Sequence, residues 1–458
     1  MTDSAPGWSL HSVLPGIAWP AVPSVEASSV LALLFQLEQS QWLPAGELRS
    51  LQLRQLESLT RHAHLASPHY RQSWRGAFDP DRSLDQQRFQ ALPILTRAEA
   101  QARHEEIKST QSPASHGTPQ MSQTSGSTGM PLRFLCNGMT QLVWNALTLR
   151  DHLWHRRDLS AKLAVIRRHT APARAANWGI ATQGLLNTGE AVAMTSGTQG
   201  TDIDAQLAWL QRERPKYLLT YPSNAAELAR SSIASGILLP ELSEVRTVGE
   251  PVTPEMRELC RAAWNASVVD AYSSEEVGYI ALQCPSGTHY HMESESLYVE
   301  IVDEAGRPCQ PGETGRVLVT SLHNFSFPLV RYELGDYAEL GEPCACGRGL
   351  PVLRRIAGRV RNMLVAPDGK RYWPATGTSI IARIAEIRQY QFVQTEIDLI
   401  EARLVVSAPL SALQEQELTA QLLAGFPAGF RVTLKFVDAI PRGAGGKFED
   451  FVSQVSAR

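Results

Sequence analysis

The sequence predicts an α/β protein. It reads as a large N-terminal domain with mainly parallel sheets and helices plus an antiparallel meander, followed by a small mobile α/β C-terminal domain. Three observations lead there. Between Leu163 and Tyr272, short apolar runs alternate with helix-like stretches, as in βα units whose strands are buried on both faces. After Gly278 the pattern changes to alternating strands joined by turns. The last stretch carries its own helix and strand signals, enough for a separate unit. The domains are therefore expected at 1–358 and 359–458.

At 458 residues the chain is long enough for more than one core. Hydrophobic residues make up 43% and charged residues 19%, which suits a globular protein with a large interior. A net charge of −3 provides no basic field for nucleic acid or acidic lipid. No apolar run reaches the length that spans a bilayer. The start, MTDSAPGWSL, lacks the basic and apolar parts of a signal peptide, so a cytoplasmic location is expected. Six cysteines are too few for a disulfide framework in a chain this long.

Residues 1 to about 115 read as helices and loops, with apolar residues at helical spacing in Leu31–Leu37 and Leu48–Leu59. Thr96 stands as an N-cap before Arg97–His104. A polar stretch then leads into Gln123-Thr124-Ser125-Gly126-Ser127-Thr128-Gly129-Met130-Pro131. Four hydroxyl side chains and two glycines within Thr124–Gly129 bury poorly, but they can turn backbone N–H groups and hydroxyls toward one anion. This phosphate cradle differs from the familiar lysine-containing loop, and a flexible surface loop is the competing reading.

Leu132–Cys136 follows as a strand. Leu163–Ile166, Tyr217–Tyr221, Val245–Val248 and Ser267–Tyr272 read as buried strands. Helices are expected at Asp202–Arg212, at Ala225–Ala234 behind Ser223 or Asn224, and from Pro254 to about Trp264 behind Thr253. Ligands of such sheets bind beyond the carboxyl ends of the strands. Thr220–Asn224, Gly249-Glu250-Pro251 and Tyr272–Gly278 fall at those ends. Leu297–Asp303 and Gly315–Leu322 form the meander. The C-terminal unit should hold helices at Ile380–Ile387 and Ser411–Leu423 and strands at Leu404–Ser407 and Arg431–Val437.

Several residues carry chemistry. Tyr272 at a strand end can stack on a base, and a glutamate beside it can hold Mg2+, which takes oxygen ligands and bridges phosphates. Asp336, behind Gly335, can accept hydrogen bonds from a ribose diol. Arg359 offers a planar fork for phosphate or ribose oxygens. Lys447, in the glycine-rich Pro441–Lys447, is a cation on the far unit and reaches a site only if that unit closes over it.

In this order TSGSTGMP (124–131), TYPSNAAELA (220–229), GEPVTPEMR (249–257), AYSSEEVG (271–278), FPLVRYELGD (327–336), RIAGR (355–359) and PRGAGGK (441–447) resemble the adenylate-forming ligase superfamily. Within it the chain looks most like the phenylacetate–CoA ligase and CapK-like branch. The resemblance runs from about residue 90 to the end. It implies an AMP-forming enzyme that joins a carboxylic acid to ATP, releases pyrophosphate and passes the acyl group on. CoA is the leading acceptor and an amine the runner-up. A non-catalytic nucleotide- or acyl-adenylate-binding protein is the alternative of another class, and a homodimer is allowed.

The resemblance also implies roles. Thr124, Ser125, Gly126, Ser127, Thr128 and Gly129 would hold ATP phosphates. Gly249, Glu250, Pro251, Tyr272, Ser273, Ser274 and Glu275 would surround the nucleotide, with Tyr272 flanking adenine. Glu276 would bind Mg2+, Asp336 the ribose hydroxyls, and Arg359 ribose or phosphate. Lys447 would touch the acyl carboxylate and α-phosphate. Trp178, Gly179, Tyr221, Pro222 and Ser223 would line the acid pocket, which leans toward an aromatic or mid-sized apolar acid. Cys284, His291, Cys344 and Cys346 match a structural zinc site of this branch, with His289 as the competing ligand. The chain departs from the family at Met130, where a basic residue is common, at Ser273 and Glu275, where Gly and Thr are usual, and at the hinge, where Arg361-Asn362 replaces Asp-Asp.

Overall fold

The computed structural model describes residues 8–124, 131–168, 171–195, 203–373, 384, 387–441 and 448–455. The N-terminal part is helical: α1 (Val25–Ser40), α2 (Ala45–Ala66), α3 (Pro68–Ser73), α4 (Gln86–Gln90), α5 (Arg97–Ala102) and α6 (His104–Ile107). The Thr96 hydroxyl accepts from Glu99 N, so the expected cap opens α5. Strands β1 (Gln120–Gln123) and β2 (Arg133–Cys136) form an antiparallel hairpin around the glycine loop, and the long α7 (Gly138–Trp154) follows.

The alternating region then runs β3 (Leu163–Arg167), β4 (Ala173–Ala175), β5 (Ala191–Thr195), α8 (Ile203–Glu213), β6 (Tyr217–Thr220), α9 (Pro222–Ser235), β7 (Glu244–Val248), α10 (Pro254–Trp264) and β8 (Ser267–Ser274). The meander adds β9 (Gly278–Gln283), β10 (Tyr290–Met292), β11 (Leu297–Val302), β12 (Thr314–Ser321), β13 (Tyr332–Leu340) and β14 (Val352–Arg359). These strands make one 12-stranded sheet in the order β4-β5-β3-β6-β7-β8-β9-β10-β14-β13-β12-β11. From β5 to β8 neighbours run parallel; from β8 onward they run antiparallel. The change occurs at the turn 275–277. That connection is too short for a crossover helix, so β9 must return alongside β8.

The register aligns the carboxyl ends of the parallel strands, pairing Thr220 with Thr247 and Thr247 with Asp270. Helix α9 starts earlier than expected: Tyr221 is the N-cap and Pro222 takes the first position, so Ser223 and Asn224 lie inside the first turn. Helix α7 buries charge as well as apolar surface. Arg150 pairs with Glu293 at 2.7 Å and Glu295 at 2.9 Å, and Arg157, just beyond the helix, pairs with Asp151 at 2.7 Å and Glu244 at 2.6 Å. Removing one partner from such a pair leaves an uncompensated buried charge, which is strongly destabilising.

After β14 come the short β15 (Leu364–Val365) and β16 (Arg371–Tyr372), then β17 (Ile387–Glu396), β18 (Leu399–Val406), α11 (Ala412–Ala424), β19 (Arg431–Phe436) and β20 (Phe451–Ser453). The last four strands form a separate sheet in the order β19-β18-β17-β20. Its core gathers Leu364, Phe392, Ile400, Leu404, Leu418, Phe426 and Phe451. Of the helix expected at 380–387, residue 387 instead opens β17; most of the rest lies outside the described residues. No helix among the described residues is long and apolar enough to cross a membrane.

Candidate active site

The site lies at the carboxyl ends of β6, β7 and β8, with the β1–β2 hairpin above. Thr124 closes the base of the glycine loop: its N–H donates to Leu132 O at 3.0 Å, and its hydroxyl accepts from Leu132 N at 3.0 Å. Ser125, Gly126, Ser127, Thr128, Gly129 and Met130 lie outside the described residues, as does Lys447.

Beyond β8 the two adjacent glutamates part company. Glu275 is exposed on the turn, whereas Glu276 is buried. Glu276 Oε1 accepts from Arg97 Nη1 at 2.9 Å and from the Tyr332 hydroxyl at 3.3 Å. Its other oxygen has no partner among the described residues. A buried carboxylate with one committed and one uncommitted oxygen fits a hard cation, for which carboxylate oxygen is the ordinary ligand. Burial and the Glu276 carboxylate push the Tyr332 phenol upward, so it stays a donor. Ser274 Oγ is buried without a partner among the described residues, and Ser273 is half-buried beside it.

A second cluster shares the Tyr272–Glu276 turn. The Tyr272 hydroxyl donates to Asp336 Oδ2 at 2.8 Å, and Arg359 Nε donates to Asp336 Oδ1 at 3.0 Å. Gly335 has φ +82, in the left-handed region that favours glycine, and this turns Asp336 toward Tyr272. Burial first, then Asp336, raises the Tyr272 phenol well above its ordinary value. The Asp336 carboxylate raises Arg359 in turn. Asp336 thus has both oxygens engaged by neighbours.

Just after β7, Gly249 has φ +84 and directs Glu250 toward α9. Glu250 Oε2 accepts from Ser223 N at 2.9 Å, placing a negative charge at the amino end of that helix. Glu250 Oε1 accepts from Phe448 N at 2.6 Å. Phe448 is the first described residue after the C-terminal glycine-lysine run, so the C-terminal unit meets the large sheet at this carboxylate. Arg361 and Asn362, the atypical hinge pair, both contact Glu449, at 2.6 and 3.2 Å. Pro251 is exposed.

The acid-pocket residues divide. Tyr221, Pro222 and Ser223 cap α9 beside Glu250. Trp178 sits elsewhere: it is buried, donates Nε1–H to Ala161 O at 2.9 Å ahead of β3, and packs edge-on against Tyr217. Those groups mark the amino ends of β3 and β6, the opposite end from Tyr221. Gly179, with φ +104, neighbours it in that loop. Arg97 was not expected to have a role, because its partners Glu276 and Thr124 lie 179 and 27 residues away in sequence.

The cysteine and histidine cluster lies where β9 ends. Donor atoms of Cys284, His289, His291 and Cys344 all fall within 4.8 Å of one another. Cys284 and Cys344 sulfurs are 3.8 Å apart, and His289 Nε2 is 2.9 Å from Cys344 Sγ. Cys346 Sγ is 3.3 Å from His291 Nε2 but stands outside that group of four. Burial pushes His291 down to about 4, so its imidazole is neutral, the form that ligates metal. Two thiols and two imidazoles at these separations suit tetrahedral zinc, whose bonds of about 2.0–2.3 Å bring ligand atoms this close. His289, the competing ligand in the sequence, thus stands inside the group.

Residues 72–326 match the family model described as AMP-binding enzyme, and residues 364–454 match that of the CapK C-terminal domain. The phenylacetate-coenzyme A ligase of Thermus thermophilus is 28% identical over 296 residues, 58% of this chain and 66% of that protein. Protein CapK of Staphylococcus aureus is 26% identical over 266 residues, 54% of this chain and 55% of that protein. The chain thus spans less than two thirds of either curated relative. A 2-hydroxyisobutyryl-CoA ligase solved in the postadenylation state, in complex with R3-HIB-AMP, superposes with a TM-score of 0.73 at 21% identity, covering 91% of this chain and 92% of that one. At that identity the likeness is one of fold.

Proposed function

This chain belongs to the AMP-binding enzyme family, and from that membership we propose that it activates a carboxylic acid with ATP, forming an acyl adenylate and pyrophosphate, and then transfers the acyl group to CoA. One observation carries the reading. Two hydrogen-bonded clusters, Thr124–Arg97–Glu276 and Tyr272–Asp336–Arg359, meet at a single turn beyond β8. The first suits a polyphosphate and its cation, and the second a ribose. Glu276 would hold Mg2+, which would neutralise phosphate charge. Asp336 would take the ribose hydroxyls and Tyr272 would flank the base, with Arg359 bracing Asp336.

Lys447 would supply the cation at the reacting carboxylate and α-phosphate. The contact of Phe448 N with Glu250 supports this, because the residue peptide-bonded to Lys447 meets the carboxyl end of β7. The chemistry is positioning and charge stabilisation, without a covalent enzyme intermediate. In this reading residues 359–458 form the unit that rotates, hinged at Arg359–Asn362. Its present contact with the large sheet, Phe448 N on Glu250, is broken when the acceptor is admitted. Zinc would be held by Cys284, His289, His291 and Cys344, with Cys346 beside them, and would tie the β9–β10 turn to the loop before β14. The lean toward an aromatic acid now rests on Tyr221, since Trp178 faces the core.

Pyrophosphate release screened over carboxylic acids, with CoA and amines added in turn, tests the reading. Acid-dependent release with CoA consumption supports it. Release that requires an amine shifts the acceptor. No acid-dependent release with any acid class removes the enzyme and leaves a binding protein.

A further inference from the structure

Resting on that reading, we infer that Arg97 is the cation that binds the polyphosphate arm of ATP and receives the leaving pyrophosphate. Three observations converge. First, the loop Gln123–Pro131 contains no Lys or Arg in its sequence, so a clasp built from it alone would meet the pyrophosphate with neutral donors only. Second, the Arg97 guanidinium spans the two halves of the clasp. Nη2 donates to Thr124 Oγ1 at 3.2 Å at the base of the loop, and Nη1 donates at 2.9 Å both to Glu276 Oε1 and to the Tyr332 hydroxyl. Third, Arg97 Nε is buried with no acceptor among the described residues. A buried donor on a charged group is costly to leave unmet, and here it lies beside the carboxylate and threonine that the nucleotide would adjoin.

The backbone holds the side chain there. Leu95 N donates to Arg331 O at 3.1 Å and Glu333 N donates to Leu95 O at 2.9 Å, so the segment before α5 is bonded to the start of β13. Arg331 has φ +47 and is kept there by its ion pair with Glu300 at 3.1 Å and by the carbonyls of Gln90 and Leu92. The side chain of Arg97 is 18% exposed, against 4% for Glu276, so its guanidinium is the part of the pair that reaches the open side.

In the step that uses it, an acyl carboxylate oxygen bonds to the α-phosphorus and the Pα–O–Pβ bond breaks. The bonding pair leaves on the β-phosphate oxygen, and no proton moves. Negative charge grows on the pyrophosphate, where a planar guanidinium offers parallel donors that an ammonium does not. Arg97 thereby answers for the basic residue that position 130 lacks.

The test measures binding rather than turnover. Pyrophosphate and AMP are titrated separately into the full chain by calorimetry, with Mg2+ and again in chelator, for the unaltered protein, Arg97→Gln and Arg97→Lys. Expected is a loss of at least about tenfold in pyrophosphate affinity for Arg97→Gln in both conditions, AMP affinity within about twofold, and an intermediate loss for Arg97→Lys. AMP binding also reports that the variants fold. Equal losses for both ligands, or a loss seen only with Mg2+, would make Arg97 a support of Glu276 and overturn the inference. Unchanged pyrophosphate affinity overturns it directly. If the unaltered chain binds AMP and pyrophosphate and only the Arg97 comparison fails, the ligase reading stands without this residue. If the unaltered chain binds neither, the nucleotide site itself falls, and this inference with it.

Discussion

At one end of β9 carboxylates meet guanidinium groups, Glu276 with Arg97 at 2.9 Å and, close by, Asp336 with Arg359 at 3.0 Å. At the other end, after Gln283, thiols and imidazoles crowd to between 2.9 and 3.8 Å. The first arrangement can open, since each charge has a partner but Arg97 Nε has no acceptor among the described residues, and 13–27% of the Asp336 and Arg359 side chains remains exposed. The second gathers neutral donors that gain little from one another. Cys284 and His291 are fully buried, and a sulfur pair or a sulfur–imidazole contact gains little beside a metal–ligand bond. One six-residue strand therefore joins an end built for exchange to an end built for permanence. Substitutions at the exchange end should change rates and affinities at nearly constant stability, and those at the other end should do the reverse.

The largest expected effect follows from the adenylation chemistry proposed for the exchange end. Lys447→Ala should lower adenylation about a hundred- to thousandfold, as loss of one preorganised charge-stabilising group does. ATP binding and the melting temperature should stay close to those of the unaltered chain. Acid-dependent pyrophosphate release and a thermal melt measure both. Full activity in the variant would remove Lys447 from the reaction, and a collapse of the melt would erase the distinction between the two ends.

Cys284→Ser comes next and tests the other end. Elemental analysis should find about one zinc per unaltered chain and a large loss in the variant. Stability should fall by about 2–4 kcal/mol, in the range of other named structural losses, while the affinity for ATP changes less than about threefold. Metal-free protein of undiminished stability would reduce the cluster to ordinary side chains. A smaller effect is expected at Asp336→Asn, which keeps the shape but loses the charge that Arg359 and Tyr272 address. The KM for ATP should rise about tenfold with kcat little altered, because the proposed ribose contact would be made equally in ground and transition states. A fall in kcat alone would place Asp336 in the chemical step.

How far the sequence disclosed these ends follows from the range of the interactions. The strands β3, β6, β7 and β8 were legible as short apolar runs, and the caps at Thr96 and Thr253 as local hydroxyl signals; both accept the expected N–H, from Glu99 and from Met256. Helix α9 shows two local signals in competition, with Pro222 at the first position setting the start just ahead of Ser223 and Asn224, the residues read as caps. What depends on distant partners was not legible. Arg150 and Asp151 look like the polar face of a helix until Glu293 and Arg246 close on them from 143 and 95 residues away. Trp178 reads as a pocket aromatic, but Ala161 and Tyr217 fix it to the other end of the strands. Arg97 is one residue after a cap and gives no sign of Glu276. His289 and Cys346 differ as ligands by loop geometry that spacing does not encode.

Between the two ends lies Asp270, and it separates them by pH. Its Oδ1 accepts from the Thr247 hydroxyl at 2.6 Å and its Oδ2 from the Tyr290 hydroxyl at 2.8 Å, while its N–H donates to Gln283 Oε1 at 3.0 Å. Burial, only partly opposed by those hydroxyls and by Arg257, pushes this carboxyl up to about 6. A raised carboxyl holds its proton longer in the fold than in the unfolded chain. Its contribution to stability is complete below about pH 4, declines as the pH rises toward 6, and is constant above that. Asp270→Asn cannot titrate, so the variant should gain on the unaltered chain between pH 4 and pH 6 and hold that gain at pH 7. A rise of that size is worth at most about 3 kcal/mol, and weaker bonds from Tyr290 and Thr247 to an amide offset much of it, leaving about 1 kcal/mol. Paired thermal melts over that range read the difference directly. Asp270 bonds no residue of the Glu276 turn, so ATP affinity should not follow it; its partners Tyr290, between His289 and His291, and Gln283, beside Cys284, adjoin the sulfur cluster, so zinc content is measured alongside. A gain in stability accompanied by loss of either would show that β8 couples the two ends.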